Sequence, residues 1–118
     1  MTVNEWISSK VRAVAVERKL EAGKNLFRAG GKTVGLYEVL NGTVWLVRTD
    51  RSGREAILQR VSAGHILAEA SLFSSTYHCD AVAKTAATVK LYPKAVLLAE
   101  LQRDPKSRWL LLACSLAK

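Results

Sequence analysis

The sequence predicts a mainly β protein: an antiparallel β-roll, of jelly-roll or double-stranded β-helix type, with one N-terminal and two C-terminal helices. About eight short segments with a two-residue apolar period follow one another between residues 14 and 92. Turn residues separate these segments at close spacing. Apolar residues at helical spacing occur only near the two ends of the chain. This combination is typical of antiparallel rolls closed by helices.

The N-terminal part predicts one helix and two strands. A capping-box spacing and apolar residues at helical intervals predict a helix over about residues 3–12. From Val14 the apolar period changes to two, which predicts a strand ending at the turn 21–23. A short strand over 25–28 follows and stops at a pair of glycines.

The middle of the chain contains a strong hairpin signal. Asn41 and Gly42 stand between two apolar segments, 36–40 and 43–48. Both residues tolerate positive φ, and this dipeptide is the strongest short signal for a two-residue hairpin loop. We therefore expect these two strands to pair.

Further turns and strands follow. The turn 50–53, with glycine in the left-handed position, leads to a strand over 54–60. A third turn lies at 62–64, and later strands are predicted over about 78–84 and 88–92.

The C-terminal part predicts two helices. Pro93 suits the first turn of a helix, whose apolar side is formed by Val96, Leu97, Ala99 and Leu101. Asp104 and Pro105 suit the N-cap and first residue of a last helix. One face of that helix carries an apolar stripe formed by Trp109, Leu112, Ala113 and Leu116. Because the stripe still runs at Lys118, we expect a longer parent protein.

Composition fits one globular domain over residues 1–118: 49% of the residues are hydrophobic and 24% are charged. No apolar run approaches the roughly 20 residues of a membrane helix, and no secretory leader pattern is present. The two cysteines, Cys79 and Cys114, lie far apart, which indicates free thiols in a reducing compartment. We therefore expect a cytoplasmic protein without membrane contact.

The net charge of +8 raises the question of nucleic-acid binding. The basic residues are mostly spaced singly, no helix carries a dense basic face, and no aromatic–basic motif of the RNA-recognition type occurs in the sequence. The pattern therefore predicts a solvated basic surface. Trp6, Trp45 and Trp109 are predicted to be packing residues.

Patterns of catalytic residues are missing from the sequence. His65 and His78 are isolated, which argues against a metal-dependent oxygenase of the jelly-roll type. The sequence contains neither a nucleophile elbow nor a phosphate-binding or dinucleotide-binding glycine motif. With two histidines, two cysteines and no C-x-x-C, the metal signal is weak. We expect a non-enzymatic protein without catalytic residues, metal or cofactor.

The most informative stretch runs from Gly64 to Phe73 and continues into the strand predicted near His78. Glu69 lies there between apolar and small neighbours. Burying an unpaired carboxylate costs several kcal/mol, so a buried Glu69 would need a ligand hydroxyl, a backbone donor or a cation. In a simpler interpretation, Glu69 caps a short helix at the edge of the core.

Landmarks spread over nearly the whole chain are Leu26 to Gly30, Leu36 to Val44, Asp50 to Gly53, Gly64, and Glu69 with Leu72 and Phe73. Their order and spacing resemble the cyclic nucleotide-binding domain of the Crp/Fnr class of bacterial transcription regulators. The resemblance implies a β-roll whose last helix, here residues 105–118, forms a homodimer interface. It also implies that DNA is contacted only through a helix-turn-helix domain, which this chain does not contain, so the chain resembles the sensor half.

The implied ligand site departs from the family pattern. Members that bind cyclic AMP have a Gly-Glu pair and, ten residues beyond the Glu, an Arg followed by Ser or Thr. Here Glu69 occupies the Glu position, but Ala68, Cys79 and Asp80 stand at the Gly, Arg and hydroxyl positions. Loss of the Arg removes a charge-assisted bond worth roughly 1.5–3 kcal/mol, and the Asp80 carboxylate would repel the phosphate. We therefore expect cyclic AMP to bind at least about a hundredfold more weakly, if at all.

This degenerate phosphate-binding cassette comprises Ala68, Glu69, Ala70, Ser71, Leu72, His78, Cys79, Asp80 and Ala81.

Several interpretations of the cassette stay open. Glu69 and Asp80 would favour a cationic or hydroxyl-rich effector of unknown identity; alternatively, Asp80 accepts backbone hydrogen bonds from the short helix at 69–73. His78 and Cys79 suggest a redox or haem sensor, although neighbours on a strand face opposite sides and Asp80 would raise the pKa of Cys79. Alternatively, Cys79 is a buried structural cysteine. A ligand-free domain acting through protein contacts and dimerisation is a further alternative.

Overall fold

The computed structural model describes residues 12–67 and 71–103. These residues form eight β-strands and a helix, in the order β1 (Val16–Leu20), β2 (Asn25–Phe27), β3 (Gly35–Asn41), β4 (Thr43–Thr49), β5 (Glu55–Ser62), β6 (Ile66–Leu67), β7 (Asp80–Ala83), β8 (Ala87–Pro93) and α1 (Lys94–Arg103). Within this described part, no helix is long and apolar enough to cross a membrane.

The strands form two four-stranded sheets with the orders β1-β8-β3-β6 and β2-β7-β4-β5. All strand pairs are antiparallel. Two four-stranded antiparallel sheets of this kind are the arrangement of a jelly roll. The predicted antiparallel β-roll is therefore confirmed, and α1 is the flanking helix that the described residues contain in full.

Apolar side chains fill the space between the two sheets. This main core contains Leu26, Tyr37, Val39, Val44, Leu46, Val61, Leu67, Tyr77, Ala81, Ala83, Ala87 and Val89. A second cluster lies under α1 and contains Leu36, Ile66, Leu72, Tyr92 and Leu97. Successive strand residues point to opposite faces, so the sheet β1-β8-β3-β6 contributes to the main core with one face and to the second cluster with the other.

The predicted hairpin at Asn41-Gly42 is wrong. β3 pairs with β6 and β8, whereas β4 pairs with β5 and β7, so the two strands belong to different sheets. Asn41 is still part of β3 and pairs with Thr88 after a register shift, which leaves Gly42 alone between the strands. Gly42 has a φ of 81° and takes the chain around the corner from one sheet to the other.

The turn at 50–53 forms a hairpin as predicted, because β4 and β5 pair directly across it. Gly53 has a φ of 87°, and its N–H donates to the Asp50 carbonyl. Asp50 Oδ1 accepts bonds from Ser52 N, Ser52 Oγ and Arg54 N at 2.9, 2.7 and 2.9 Å. These hydrogen bonds, first the one from the Ser52 side chain, lower the pKa of Asp50.

Two element boundaries differ from the prediction. Pro93 ends β8 opposite Gly35 and does not begin the helix; the helix starts at Lys94, whose N–H donates to the Val34 carbonyl at 2.9 Å. Proline has no N–H to donate to a neighbouring strand, so the end of a strand, where the ladder of hydrogen bonds stops, is a favourable position for it. Strand β7 starts at Asp80 rather than His78, and the His78 carbonyl accepts a side-chain bond from Arg48 at 3.2 Å.

The predicted apolar side of α1 is correct in part. Leu97 is buried against the second cluster and Val96 packs beside it, whereas Ala99 is exposed. The side chain of Leu101 lies outside the described residues. Two predicted helices also lie outside the described residues. They are the helix over 3–12, except for residue 12, and the last helix with Trp109, Leu112, Ala113 and Leu116.

We expect Gly42→Ala to destabilise the roll by roughly 2–5 kcal/mol in urea unfolding, because it combines left-handed strain with overpacking. A Cβ at Gly42 would press on the Ala86 carbonyl oxygen and lie 2.8 Å from Ala87 Cα. Gly53→Ala is the matched control: its φ is also positive, but nothing lies within 4 Å of the added Cβ, so we expect a loss of about 1–2 kcal/mol. Equal losses for both variants would contradict the corner role of Gly42.

Candidate ligand-binding site

The predicted cassette spans residues 68–72 and 78–81, and its described part includes both ends of residues 71–79, here called the β6–β7 segment, which leads from one sheet to the other. Ser71 and Leu72 are buried at the start of this segment, and Leu72 packs in the second cluster beside α1. Phe73, the next residue, is 58% exposed. Of the cassette residues, Ala68, Glu69 and Ala70 lie outside the described residues.

Tyr77 anchors the β6–β7 segment to the start of β3. Its hydroxyl donates to the Gly35 carbonyl at 3.3 Å and accepts a bond from Val34 N at 3.1 Å. Its ring is stacked on Phe27 with 3.9 Å between centroids. Sequence analysis missed this residue, since a tyrosine in a polar loop gives no local sign that its hydroxyl will satisfy backbone groups 42 and 43 positions away.

Two long cationic side chains bind the same segment from other elements. Lys94, the first residue of α1, donates from Nζ to the Ser74 carbonyl at 2.7 Å. Arg48 donates from Nη2 to the His78 carbonyl at 3.2 Å. The His78 ring is exposed and its Nε2 lies 3.2 Å from Ser74 Oγ. The segment is thus hydrogen-bonded both to the helix and to β4.

Cys79 is half-buried and packs against the main core. Burial is the largest influence and raises the pKa of its thiol; the nearby Arg48 guanidinium opposes the rise and the Asp80 carboxylate adds to it. The sequence predicted the direction of the Asp80 effect, and burial, the larger cause, follows from the packing of Cys79 against the main core. A thiol in these surroundings is less ionised than a free one and is correspondingly unreactive.

Asp80 is the first residue of β7, and its Oδ1 accepts a bond from Ala29 N at 2.7 Å. The described donor therefore belongs to the loop after β2; Glu69 and Ala70, which begin the short helix of the other interpretation, lie outside the described residues. Ala81, the next cassette residue, is fully buried in the main core. Asp80 thus holds the β2 loop against the start of β7.

Arg48 is the site residue that sequence analysis did not single out. Val47 pairs with Asp80 across β4 and β7, which places Arg48 level with Cys79. Arg48 also lines a cavity of about 450 Å³ at the β4–β5 hairpin, together with Thr49, Asp50, Arg54, Glu55, Ala56 and Leu58. Only the strand register brings this cation beside residue 79, so no sequence signal could have revealed it.

Within the described ranges, no group of three or more His, Cys, Asp and Glu side chains could hold a metal ion. His78 points to solvent while Cys79 packs on the core, so their side chains occupy different environments. The described geometry therefore offers hydrogen-bonding groups and two cations, Lys94 and Arg48, and Arg48 lies near a thiol whose pKa is raised mainly by burial.

Comparison with known proteins gives a consistent result. Residues 17–104 match the family model described as cyclic nucleotide-binding domain. None of the curated proteins matches the chain in sequence at a significant level.

Solved structures share the fold. The sensor domain of the transcriptional regulator DNR from Pseudomonas aeruginosa is 26% identical, with a TM-score of 0.82 over 87% of this chain and 70% of that chain. The Thermus thermophilus catabolite activator protein is 27% identical, with a TM-score of 0.77 over 94% of this chain and 54% of that one. A regulatory protein from Silicibacter pomeroyi is 27% identical, with a TM-score of 0.81 over 92% of this chain. The chain spans 50% of that protein, about half of its length.

We expect Cys79 to be alkylated by iodoacetamide more slowly in the folded chain than in the urea-unfolded chain at pH 8. A raised pKa reduces the fraction of Cys79 present as thiolate, the form that reacts. The alkylation rate of the folded chain should therefore keep rising with pH above the pH at which a free thiol is already ionised. A Cys114→Ser background leaves Cys79 as the one thiol. A folded rate equal to or above the unfolded rate would show that Cys79 is a reactive thiol.

Proposed function

This chain belongs to the cyclic nucleotide-binding domain family, and we propose that it is the effector-sensing regulatory domain of a Crp/Fnr-type transcription regulator. The family match over residues 17–104 carries the proposal. The likeness to the sensor domain of DNR and to the catabolite activator protein supports the regulatory class. In this proposal the chain senses an effector and is not an enzyme.

Contacts of the β6–β7 segment support a route from the site to the helix. Lys94 Nζ bonds the Ser74 carbonyl at 2.7 Å, and Leu72 and Leu97 share the second cluster. An effector that changes the segment would change both contacts and bias the position of α1. Such a bias on a two-state element is what couples a ligand site to a distant function.

We further propose that cyclic AMP is not bound in the usual way. The position that the family resemblance assigns to the phosphate-binding Arg carries the thiol of Cys79, which supplies no charge-assisted bond. The adjoining Asp80 carboxylate would repel a phosphate. Asp80 is engaged by Ala29 N and Arg48 lies near Cys79, so the local charge does not select a cation. A hydroxyl-rich effector is the class that we propose.

The remaining parts of the proposal concern partners and place. Homodimerisation would use the stripe on residues 105–118, and DNA would be contacted through a separate helix-turn-helix domain. A cytoplasmic location follows from the proposed role. The structural relatives support this arrangement, because they include a transcriptional regulator and a catabolite activator protein.

Isothermal titration with cyclic AMP tests the site directly. We expect the natural chain to give no heat of binding at micromolar concentrations, and a Cys79→Arg, Asp80→Ser double variant to bind, because it regains the phosphate anchor. Asp80→Ser alone is the matched control, since it removes the carboxylate and its bond to Ala29 without adding a cation. We expect this control to stay silent.

Other outcomes of the titration decide against parts of the proposal. Micromolar binding by the natural chain would contradict the argument from Cys79 and Asp80. Arg48→Gln would then show whether the Arg48 guanidinium has replaced the missing anchor. Silence from every variant would instead favour a ligand-free domain that acts through protein contacts.

Dimerisation through the last helix is tested by light scattering. We expect Leu112→Glu to convert a dimer of the chain into a monomer, because a charge would be desolvated in the middle of an apolar interface. Lys118→Glu, at the end of the helix, is the control and should leave the mass unchanged. A Leu112→Glu variant with the mass of the natural chain would contradict the proposed interface.

A further inference from the structure

Trp45 lies on the outer face of the sheet β2-β7-β4-β5, where it pairs with Val82 of β7. Its neighbours Val44 and Leu46 are in the main core, and strand alternation points Trp45 to the opposite side. The ring is half-buried rather than enclosed. The sequence-based interpretation of Trp45 as a packing residue is therefore incomplete.

Two cations lie over the Trp45 ring. The guanidinium carbon of Arg60, from β5, is 4.9 Å from the ring centroid, and Nζ of Lys84, from the turn after β7, is 4.6 Å from it. Both distances fall within the range of cation–π attraction. Neither cation forms a salt bridge with a described residue, so the Trp45 ring is the described partner of both charges.

The residues around this ring include uncharged polar side chains, the apolar Val82, and Asp80, which strand alternation places on the same face as Val82 and whose Oδ1 accepts a bond from Ala29 N. Strand register places Val82 beside Trp45 on β7 and Asn25 beyond it on β2. On the same face, two residues along β4, Thr43 pairs with Ser62. We call this surface the Trp45 face; it consists of Asn25, Thr43, Trp45, Arg60, Ser62 and Lys84.

We propose that the Trp45 face binds the phosphate backbone of a nucleic acid. Arg60 supplies a planar fork that matches a phosphate and Lys84 supplies a point charge. Hydroxyl and amide side chains such as Thr43, Ser62 and Asn25 are common additional donors to phosphate oxygens. The net charge of +8 draws a polyanion to the chain.

Trp45 acts as the organiser of this surface. Cation–π contact holds the ends of two long side chains near one place before any ligand arrives, so less side-chain entropy is lost on binding. The contacts are with phosphates and not with base edges, and binding is therefore independent of sequence. A peptide rich in carboxylates could neutralise the same charges, but it would leave the surrounding hydroxyl and amide donors with fewer acceptors.

The test is fluorescence anisotropy of a fluorescein-labelled 20-base-pair DNA duplex of random sequence, titrated with the 118-residue chain. An Arg60→Gln, Lys84→Gln variant removes both charges and keeps aliphatic stems over the ring. A Lys32→Gln, Arg51→Gln variant is the matched control, because it removes two exposed charges elsewhere. We expect the first variant to bind about tenfold or more weakly and the control less than about threefold.

The salt dependence provides a second readout. Each phosphate contact contributes roughly −0.9 to the slope of log K against log salt, so the Arg60, Lys84 variant should lose about two from the magnitude of that slope. Circular dichroism checks that each variant is folded. If the double variant does not fold, the single variants Arg60→Gln and Lys84→Gln are measured in its place.

Three results would overturn the proposal. The first is an absence of binding by the natural chain at low salt. The second is an equal loss of affinity in the two double variants, which would mean that net charge alone attracts DNA. The third is preferential binding of a labelled oligoglutamate peptide over the duplex, which would assign the surface to an acidic protein segment.

Discussion

The fold depends on the burial of one sheet on both of its faces. In β3, Leu36 and Tyr37 are adjacent and almost fully buried, yet Tyr37 faces the main core and Leu36 faces the cluster under α1. A register slip of one residue would exchange these environments for every side chain of the strand. The same constraint holds α1 against the roll, so the position of the helix is linked to the packing of the sheet that supports the candidate site.

The candidate site is held mainly by contacts from other elements. Tyr77 ties the β6–β7 segment to β3, Lys94 ties it to α1, and Arg48 ties it to β4. A segment secured from three directions can transmit a local change to each of them, which suits a sensor better than a catalyst. Its chemistry is correspondingly modest: a half-buried thiol, one carboxylate already bonded to Ala29 N, and one guanidinium.

Local patterns predicted the elements well, and pairing less well. Seven of the eight strands and the turn at 50–53 are close to their expected positions, because alternation and turn residues act over a few neighbouring positions. The exception is β6, whose two residues are too few to show an alternating pattern. The upward pKa shift of Cys79 was also foreseen, since Asp80 is its sequence neighbour. Asn41-Gly42 misled the prediction because its turn preference is real but local. Gly42 uses its positive φ at a corner between sheets.

By itself the sequence determined the strand positions, the mainly β class, the positive charge and the uncharged side chain at residue 79. These are properties of single residues and short periods. Only the tertiary structure decided which strands pair, that Arg48 stands level with Cys79, and that Trp45, Arg60 and Lys84 meet on one face. The physical reason is that neighbours across a sheet follow from register, and register is set by which side chains the tertiary packing buries.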